Sequence, residues 1–433
     1  MHFALCILHL LWGFMEKYVI RGGKPLYGEV NISGMKNSAL PILFGTVAVG
    51  GICTIENIPD VSDIFLTFEI LREIGAKVRL VTTDTAIIDT RDVIVRSPSV
   101  GLVDKMRGST YLLGAMLGRF NEGLVGMPGG CNFGERPVGQ HIKGFESLGA
   151  KVEYNEKGVL HAKAEKGLTG NMIYFDIVSV GSTLNVMLAA IRAEGVTVLE
   201  NCAREPHIVD TANFLNACGA DISGAGTGTI RIRGVKELHG CNYKIAPDMI
   251  EAGTYMVAAA ATGGKVTVRN IIPKHLDAIT MKLRDMGVLV ESNGGDALTV
   301  SYVGRPRGTV IRTNPYPGFP TDMQPQFASL LCLSTGVSTI TDGIWKNRFK
   351  YAEELKKMGA MLDIDDGGIH ITGIDRLRGA EVKGSDLRAG AALVIAALAA
   401  DGVSSVLGLD YIDRGYEDLV GKLRRLGADI RQE

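Results

Sequence analysis

The amino-acid sequence predicts an α/β protein of six like units gathered into two closed domains of three. Two phrases that recur with one period, together with an excess of glycine, carry this reading. The first phrase is a short helical stretch ending in Gly-Ala or Gly-Val and followed by apolar alternation. It reads LREIGAKV from 71, FESLGAKV from 145, LNACGADI from 215, LRDMGVLV from 283, LKKMGAML from 355 and LRRLGADI from 423. Its glycines, Gly75, Gly149, Gly219, Gly287, Gly359 and Gly427, are spaced by 74, 70, 68, 72 and 68 residues, so a unit of about 70 residues fills the chain. The second phrase is a Gly-led strand in the same phase: GICTIENI from 51, GLVGMPGG from 123, GVTVLENC from 195, GKVTVRNI from 264, GVSTITDG from 336 and GVSSVLGL from 402. Glycine numbers 55 in 433 residues, against a usual ~7%, with no collagen-like period. Many tight turns follow.

Each element of the unit has a local reason. An alanine-rich run precedes the Gly-led strand. Val61, Ile64, Phe65, Phe68 and Leu71 then recur at helical spacing, and Gly75 stands where a helix ends in a left-handed residue. The next segment, KVRLVTTDTAIIDT, alternates around a turn and reads as a β-hairpin. A unit is therefore a buried helix, a strand, an amphipathic helix and a hairpin. One unit cannot bury both helices, so three per domain gives two domains with a boundary near 245. A continuous solenoid is the alternative, but the Ala/Gly-rich runs GTVAVG, AAAATGG and VIAALAA suit helices packed inside a closed body.

Composition narrows the function. Hydrophobic residues make up 46% and charged residues 21%, ordinary for a globular chain with a full core. Forty-six basic against 47 acidic residues leave a net charge of −1, so bulk charge recruits neither nucleic acid nor an anionic membrane. Seven scattered cysteines, no two at metal-ligand spacing, suit a reduced cytoplasmic chain without structural zinc. Residues 1–14, MHFALCILHLLWGF, are apolar but too short to span a bilayer and lack the flanks of a signal peptide. They read as an extension ahead of a domain that starts near Met15.

The units differ where chemistry is expected. In MPGGCNFGERPVGQHI, Cys131 stands among glycines and polar residues, five positions ahead of Arg136. That setting favours a reactive thiol over a buried small hydrophobe. Lys36 and Asn37 in SGMKNSALP open a helix, where a lysine opposes the dipole and invites an anionic ligand; a solvated lysine is the plain alternative. Arg107, Arg348, Arg388 and Arg414 fall in polar turns at related positions of successive units. Each alone reads as a surface or paired arginine, but together they suit carboxylate or phosphate groups in one cleft. Asp322 in FPTDMQPQF is a candidate base or an N-cap, and Asp386 in GSDLRAG a cap that fixes Arg388. Of eight histidines only His141 lies in a marked segment, and neither GxGxxG with an acidic partner nor GxxxxGK[ST] occurs.

Taken together, SGMKNSALP, LVDKMRGS, PGGCNFGERPVGQH, AREPHIVDTANFL, FPTDMQPQF, KNRF, SDLRA and IDRGYE resemble the UDP-N-acetylglucosamine 1-carboxyvinyltransferases, enolpyruvyl transferases of peptidoglycan synthesis. The resemblance runs from Met15 to Glu433. It implies two inside-out α/β domains of three repeats each, helices inside and sheets outside. Residues 15–35 would join 246–433 in a discontinuous catalytic domain, and 36–245 would form the second domain, which carries the Cys131 loop.

It also implies transfer of the enolpyruvyl group of phosphoenolpyruvate to the 3′-hydroxyl of UDP-N-acetylglucosamine with release of phosphate. Asp322 would take the hydroxyl proton and Cys131 would protonate C3. Lys36, Arg136 and Arg414 would grip phosphate, and Arg348 and Arg388 would clamp the carboxylate. Asn37, Arg107, Arg136, Pro137, Val138, Gly139, Gln140, Ile177, Val178, Ser179, Val180, Asp322 and Ile344 would surround the substrates. No metal or redox cofactor is expected, although Cys131 can carry a 2-(S-cysteinyl)pyruvate-type adduct and is the family's fosfomycin target. The implied protein is a cytoplasmic monomer of the cell-wall, cell-shape and cell-division machinery, with small-molecule substrates and neither nucleic acid nor membrane as partner. Three positions depart from the pattern: Gly139 and Gln140 replace Asp and Leu, Ile177 replaces a lysine, and Lys346 stands where glutamate is frequent. The rival readings are a 3-phosphoshikimate 1-carboxyvinyltransferase, whose lysine lies in a PGSKS-type segment, and a ring clamp on nucleic acid, which would need a basic lining.

Overall fold

The computed structural model describes residues 16–126, 138–154, 158–345 and 348–433. Residues 1–14, Cys131, Arg136, Pro137 and Lys346 lie outside the described residues. The first unit runs as its sequence predicts: helix Lys36–Val49, strand Ile52–Glu56, helix Ser62–Glu73, then strands Lys77–Leu80 and Ala86–Asp89. The pattern repeats around the buried helices Tyr111–Phe120, Val180–Ala190, Met249–Thr262, Gln324–Leu331 and Leu387–Ala399. All six phrase glycines adopt positive φ, from +87° at Gly287 to +103° at Gly75, a conformation in which a Cβ would be strained. Phe65 points outward, while Ile64, Phe68 and Leu71 are buried.

Among the described residues six sheets surround two cores. One core gathers residues 18–35 and 249–430, the other 39–245. Every residue from Leu387 to Leu398 is buried, which marks a helix enclosed on all sides. Strands such as Thr229–Arg233 alternate exposed and buried residues and so show one face to water. Helices therefore lie inside and sheets outside. Small residues make the inner packing close: a Cβ on Gly114 would stand 2.2 Å from the Asn185 carbonyl oxygen, and one on Gly118 would stand 2.5 Å from that of Leu188.

Sheet topology adds what the unit pattern lacks. Among the described residues, five of the six sheets have a fourth strand lying parallel to the Gly-led strand: Tyr27–Asn31, Met172–Tyr174, Asn242–Lys244, Val310–Thr313 and Glu381–Lys383. The sixth unit owns only Asp429–Gln432 of its hairpin. The N-terminal strand Lys17–Arg21 supplies the missing partner, antiparallel to both Asp429–Gln432 and Val403–Leu407. The chain crosses between the cores twice, and the crossings bond to each other: Met35 N–H donates to the Ala246 carbonyl at 2.8 Å and Asp248 N–H to that of Ser33 at 2.9 Å. Lys36 thus begins its helix directly at the junction.

Candidate active site at the junction of the two cores

Two pairs of cations meet at this junction, and each already holds a carboxylate of the protein. Lys36 starts helix Lys36–Val49, whose N-cap Met35 makes no side-chain hydrogen bond to the free N–H groups of the first turn. Its Nζ donates to Asp63 Oδ2 at 2.9 Å, and Arg414 Nε donates to Asp63 Oδ1 at 2.9 Å. Asp63 belongs to one core and Arg414 to the other. The Asp63 side chain is 2% exposed. Burial works against its charge, but Lys36 and Arg414 outweigh that and hold the carboxyl below its usual range. Neighbouring backbone closes the same seam, with Ser62 N–H on the Asp413 carbonyl at 3.0 Å and Asp60 N–H on Glu417 Oε2 at 3.2 Å.

The second pair converges on Asp322, in the 3₁₀ turn Thr321–Met323. Arg348 Nη1 donates to Asp322 Oδ1 at 2.8 Å and to Thr321 Oγ1 at 3.0 Å, and Arg388 Nε donates to Asp322 Oδ2 at 3.1 Å. Asp322 does not cap the helix that follows it; that helix has Met323 as N-cap and no side-chain cap. The arginine side chains are 4% exposed and the aspartate 29%, so a ligand would meet the carboxylate first. Desolvation raises the Asp322 pKa, but Arg388 and Arg348 more than reverse this and hold it well below the usual carboxylate range. Arg388 is fixed by its helix start: Asp386 accepts from Arg388 N–H at 2.9 Å and Ala389 N–H at 3.1 Å. Its guanidinium carbon lies 5.5 Å from the centre of the Tyr416 ring, two residues from Arg414.

A third group lies within the 39–245 core. Arg107 opens the 3₁₀ turn Arg107–Thr110 and is partly buried, which lowers its pKa. Beside it His141 is 5% exposed, and burial first, then the Arg107 cation, lowers its pKa to about 4. Gly114 N–H donates to Asn185 Oδ1 at 2.8 Å, which orients the amide, so Nδ2 donates to the Thr110 carbonyl and to His141 Nδ1, each at 2.9 Å. His141 is thereby a neutral ring with its hydrogen on Nε2. Val138 is the N-cap of helix Gly139–Ser147. Gln140 exchanges two bonds with Asp176, Nε2 to Oδ2 at 2.9 Å and Asp176 N–H to Oε1 at 3.0 Å. This sets the helix start beside 177–180, where Ile177 is 69% exposed, Val178 is partly buried, Ser179 caps the helix that Val180 begins, and Ser179 Oγ accepts from Ser182 N–H at 3.2 Å. Asn37 is the second residue of its helix. Ile344 is held by its own N–H on Asp342 Oδ1 at 2.9 Å, and Thr321 donates to Asp342 Oδ2 at 2.7 Å.

Lys36 with Arg414, and Arg348 with Arg388, are thus brought into pairs. Arg107, Gln140 and the 177–180 segment belong to the 39–245 core, as does the helix that Lys36 begins. Sequence reading missed Asp63, whose place in the first turn of a helix reads as a dipole complement, and Asp342 and Asn185, which act only through contacts distant in sequence. Among the described residues no three His, Cys, Asp or Glu side chains are placed to hold a metal ion.

Comparison with known proteins places this geometry in a family. The family model described as EPSP synthase (3-phosphoshikimate 1-carboxyvinyltransferase) matches residues 20–423. UDP-N-acetylglucosamine 1-carboxyvinyltransferase 3 of Caldanaerobacter subterraneus is 55% identical over 96% of this chain and 99% of its own. UDP-N-acetylglucosamine 1-carboxyvinyltransferase of Clostridium botulinum is 52% identical, with 96% and 99% covered. The solved enolpyruvyl transferase NikO from Streptomyces tendae superposes with a TM-score of 0.87 at 26% identity, covering 97% of this chain and 99% of its own. An EPSP synthase from Acinetobacter baumannii, at 20% identity and a TM-score of 0.75 over 97% of this chain and 100% of its own, shares the fold. The six-unit architecture, the paired cations at its junction and this full-length similarity have one reading: the chain belongs to the enolpyruvyl transferase family, on the side of the UDP-N-acetylglucosamine 1-carboxyvinyltransferases.

Proposed function

We propose that the protein transfers the enolpyruvyl group of phosphoenolpyruvate to the 3′-hydroxyl of UDP-N-acetylglucosamine and releases inorganic phosphate. The observation that carries this reading is the double cation pair. Lys36 with Arg414 and Arg348 with Arg388 each hold an internal carboxylate, and a small substrate with a phosphate at one end and a carboxylate at the other presents two anions to the same four groups. The identity of 49–55% to relatives that carry this activity in their names supports it.

Phosphoenolpyruvate would set its phosphate on Lys36 and Arg414, joined by Arg136, and its carboxylate on Arg348 and Arg388. The UDP-sugar would lie along Arg107, 138–140, 177–180 and Ile344, with Asn37 beside the reacting groups. Asp322, displaced from its arginines, would accept the proton of the 3′-hydroxyl as the oxygen attacks C2, while the Cys131 thiol protonates C3. A tetrahedral ketal phosphate results; loss of phosphate with removal of a C3 proton completes the transfer. A thiol of ordinary pKa ~8.5 is mostly protonated at neutral pH and suits proton donation, and fixed cations at both ends supply orientation and electrostatic stabilisation. No metal or redox cofactor enters this scheme. A cytoplasmic place at the start of peptidoglycan synthesis, a monomeric state and fosfomycin alkylation of Cys131 belong to the same reading; among the described residues no helix is long and apolar enough to cross a membrane.

The test is phosphate release from phosphoenolpyruvate with UDP-N-acetylglucosamine, with shikimate 3-phosphate and with neither. Release that depends on the UDP-sugar alone is expected. Release driven by shikimate 3-phosphate would replace this reading with the activity for which the matching family is described.

A further inference from the structure

Three cysteines outside the proposed reaction meet in the 39–245 core. Cys53 lies on strand Ile52–Glu56, Cys218 follows helix Pro206–Ala217, and Cys241 stands directly before strand Asn242–Lys244. The parallel register Asn242↔Thr54 sets Cys241 opposite Cys53. Backbone bonds hold the segment on both sides: His239 N–H donates to the Cys218 carbonyl and Thr54 N–H to the Cys241 carbonyl, each at 2.9 Å. Close approach depends on Gly240, where a Cβ would fall 1.7 Å from the Ile52 carbonyl oxygen.

The outcome is a Cys218 Sγ to Cys241 Sγ separation of 3.2 Å, with the Cys53 thiol close enough to interact electrostatically with both. Cys53 and Cys218 are fully buried, while Cys241 is partly exposed. These thiols do not close around a metal. They do stand as a dithiol: a disulfide needs a sulfur separation of about 2.05 Å, so the pair must close by roughly 1.2 Å, within reach of side-chain rotation.

We propose that Cys241 and Cys218 form a covalent site for low-molecular-weight disulfides, with Cys241 as the attacking sulfur and Cys218 as the resolving one. The Cys241 thiolate attacks one sulfur of RSSR, giving the mixed disulfide Cys241–S–SR and RS⁻. Cys218 then gives its proton to that leaving thiolate and attacks the Cys241 sulfur, expelling a second RS⁻, which takes a proton from water. The two thiols lose two electrons and two protons, and RSSR is reduced to two RSH. Exposure and electrostatics agree with the order of events: Cys241 is the partly exposed member of the pair, the neighbouring Cys218 and then Cys53 thiols hold its pKa well below the thiol range, and interaction with Cys241 and Cys53, then burial, push Cys218 up. The cross-link would pin the root of the second crossing, which begins at Ile245, to the end of helix Pro206–Ala217.

The test treats the full-length protein with glutathione disulfide, traps remaining thiols with N-ethylmaleimide and maps peptides by mass spectrometry. A Cys218–Cys241 cross-link should form at least ~100-fold faster than any change at Cys332, a fully buried and isolated thiol. A reducing dithiol should reverse it. Cys218→Ser should stop at a single glutathionyl adduct on Cys241, and Cys241→Ser should yield neither product. Recovery of Cys218 and Cys241 as separately alkylated thiols, no faster to oxidise than Cys332, would overturn the proposal, even with a Cys131 adduct present.

Discussion

Replacing Asp322 with asparagine separates two effects that the site couples. The Asp322 carboxylate accepts from Arg348 at 2.8 Å and from Arg388 at 3.1 Å, so a substrate carboxylate held by the same two arginines must displace it. A hydrogen bond to a charged group is worth about 1.5–3 kcal/mol net. Asparagine keeps the shape but competes less, and phosphoenolpyruvate should bind ~10- to 150-fold more tightly in the presence of the UDP-sugar. The same change removes the proposed proton acceptor, and turnover should fall by about 10²–10⁴. Removing one partner of a buried pair costs up to ~3–5 kcal/mol. Here the aspartate is 29% exposed and the amide retains hydrogen bonds, so a loss of about 1–2 kcal/mol is expected, recovered when phosphoenolpyruvate binds. Isothermal titration with phosphoenolpyruvate, beside sugar-dependent phosphate release, reads both effects. Affinity equal to or weaker than that of the parent, in protein that still melts cooperatively, would refute the idea that Asp322 occupies the seat of the substrate carboxylate.

Further outcomes follow from the remaining groups. Asp63→Ala leaves Lys36 and Arg414 facing each other across the junction around a side chain only 2% exposed, and should lower stability in urea by ~3–5 kcal/mol while Asp63→Asn loses less; equal losses would place the effect in packing instead of charge. Cys131→Ser should retain UDP-sugar binding but lose most turnover, whereas Cys131→Asp should retain measurable turnover and gain no mass from fosfomycin; mass gain by the aspartate variant would exclude this cysteine as the alkylated group. His141 and His207 have pKa values lowered to about 4, mainly by burial, against 6.5 in the unfolded chain, so the unfolded state binds more protons between these values. Stability should be unaffected by them above pH 6.5 and fall as pH drops from 6.5 towards 4, by up to roughly 3 kcal/mol per histidine. His207→Gln should flatten that slope in urea titrations at pH 7.5 and 4.5; an unchanged slope would mean that His207 takes up its proton without unfolding.

How much of this was legible follows the range of the interactions. The six left-handed glycines, the helix and strand of each unit and the hairpins of the first five units were readable because each rests on a turn, a period or a backbone angle set within a few residues; the sixth hairpin is completed by Lys17–Arg21 from the other end of the chain. The Asp386 cap on Arg388 was readable for the same reason. The fourth strands were not: Met172–Tyr174, Asn242–Lys244 and Glu381–Lys383 are three residues long, and Tyr27–Asn31 pairs with Lys265–Arg269 across the whole intervening core. Nor was the fate of the charges. Asp322 read equally well as a helix cap, and only the folded chain sets it between Arg348 and Arg388; Asp63 meets Arg414 across 351 positions, and Cys53, Cys218 and Cys241 converge from spacings with no motif. Sequence by itself determined the repeating unit and the kinds of groups available for chemistry, because local sterics and periodicity act through neighbours in the chain. Tertiary structure alone decided which carboxylate neutralises which cation, because that depends on distances and burial set by two chain crossings and the closing of the last sheet by the first strand.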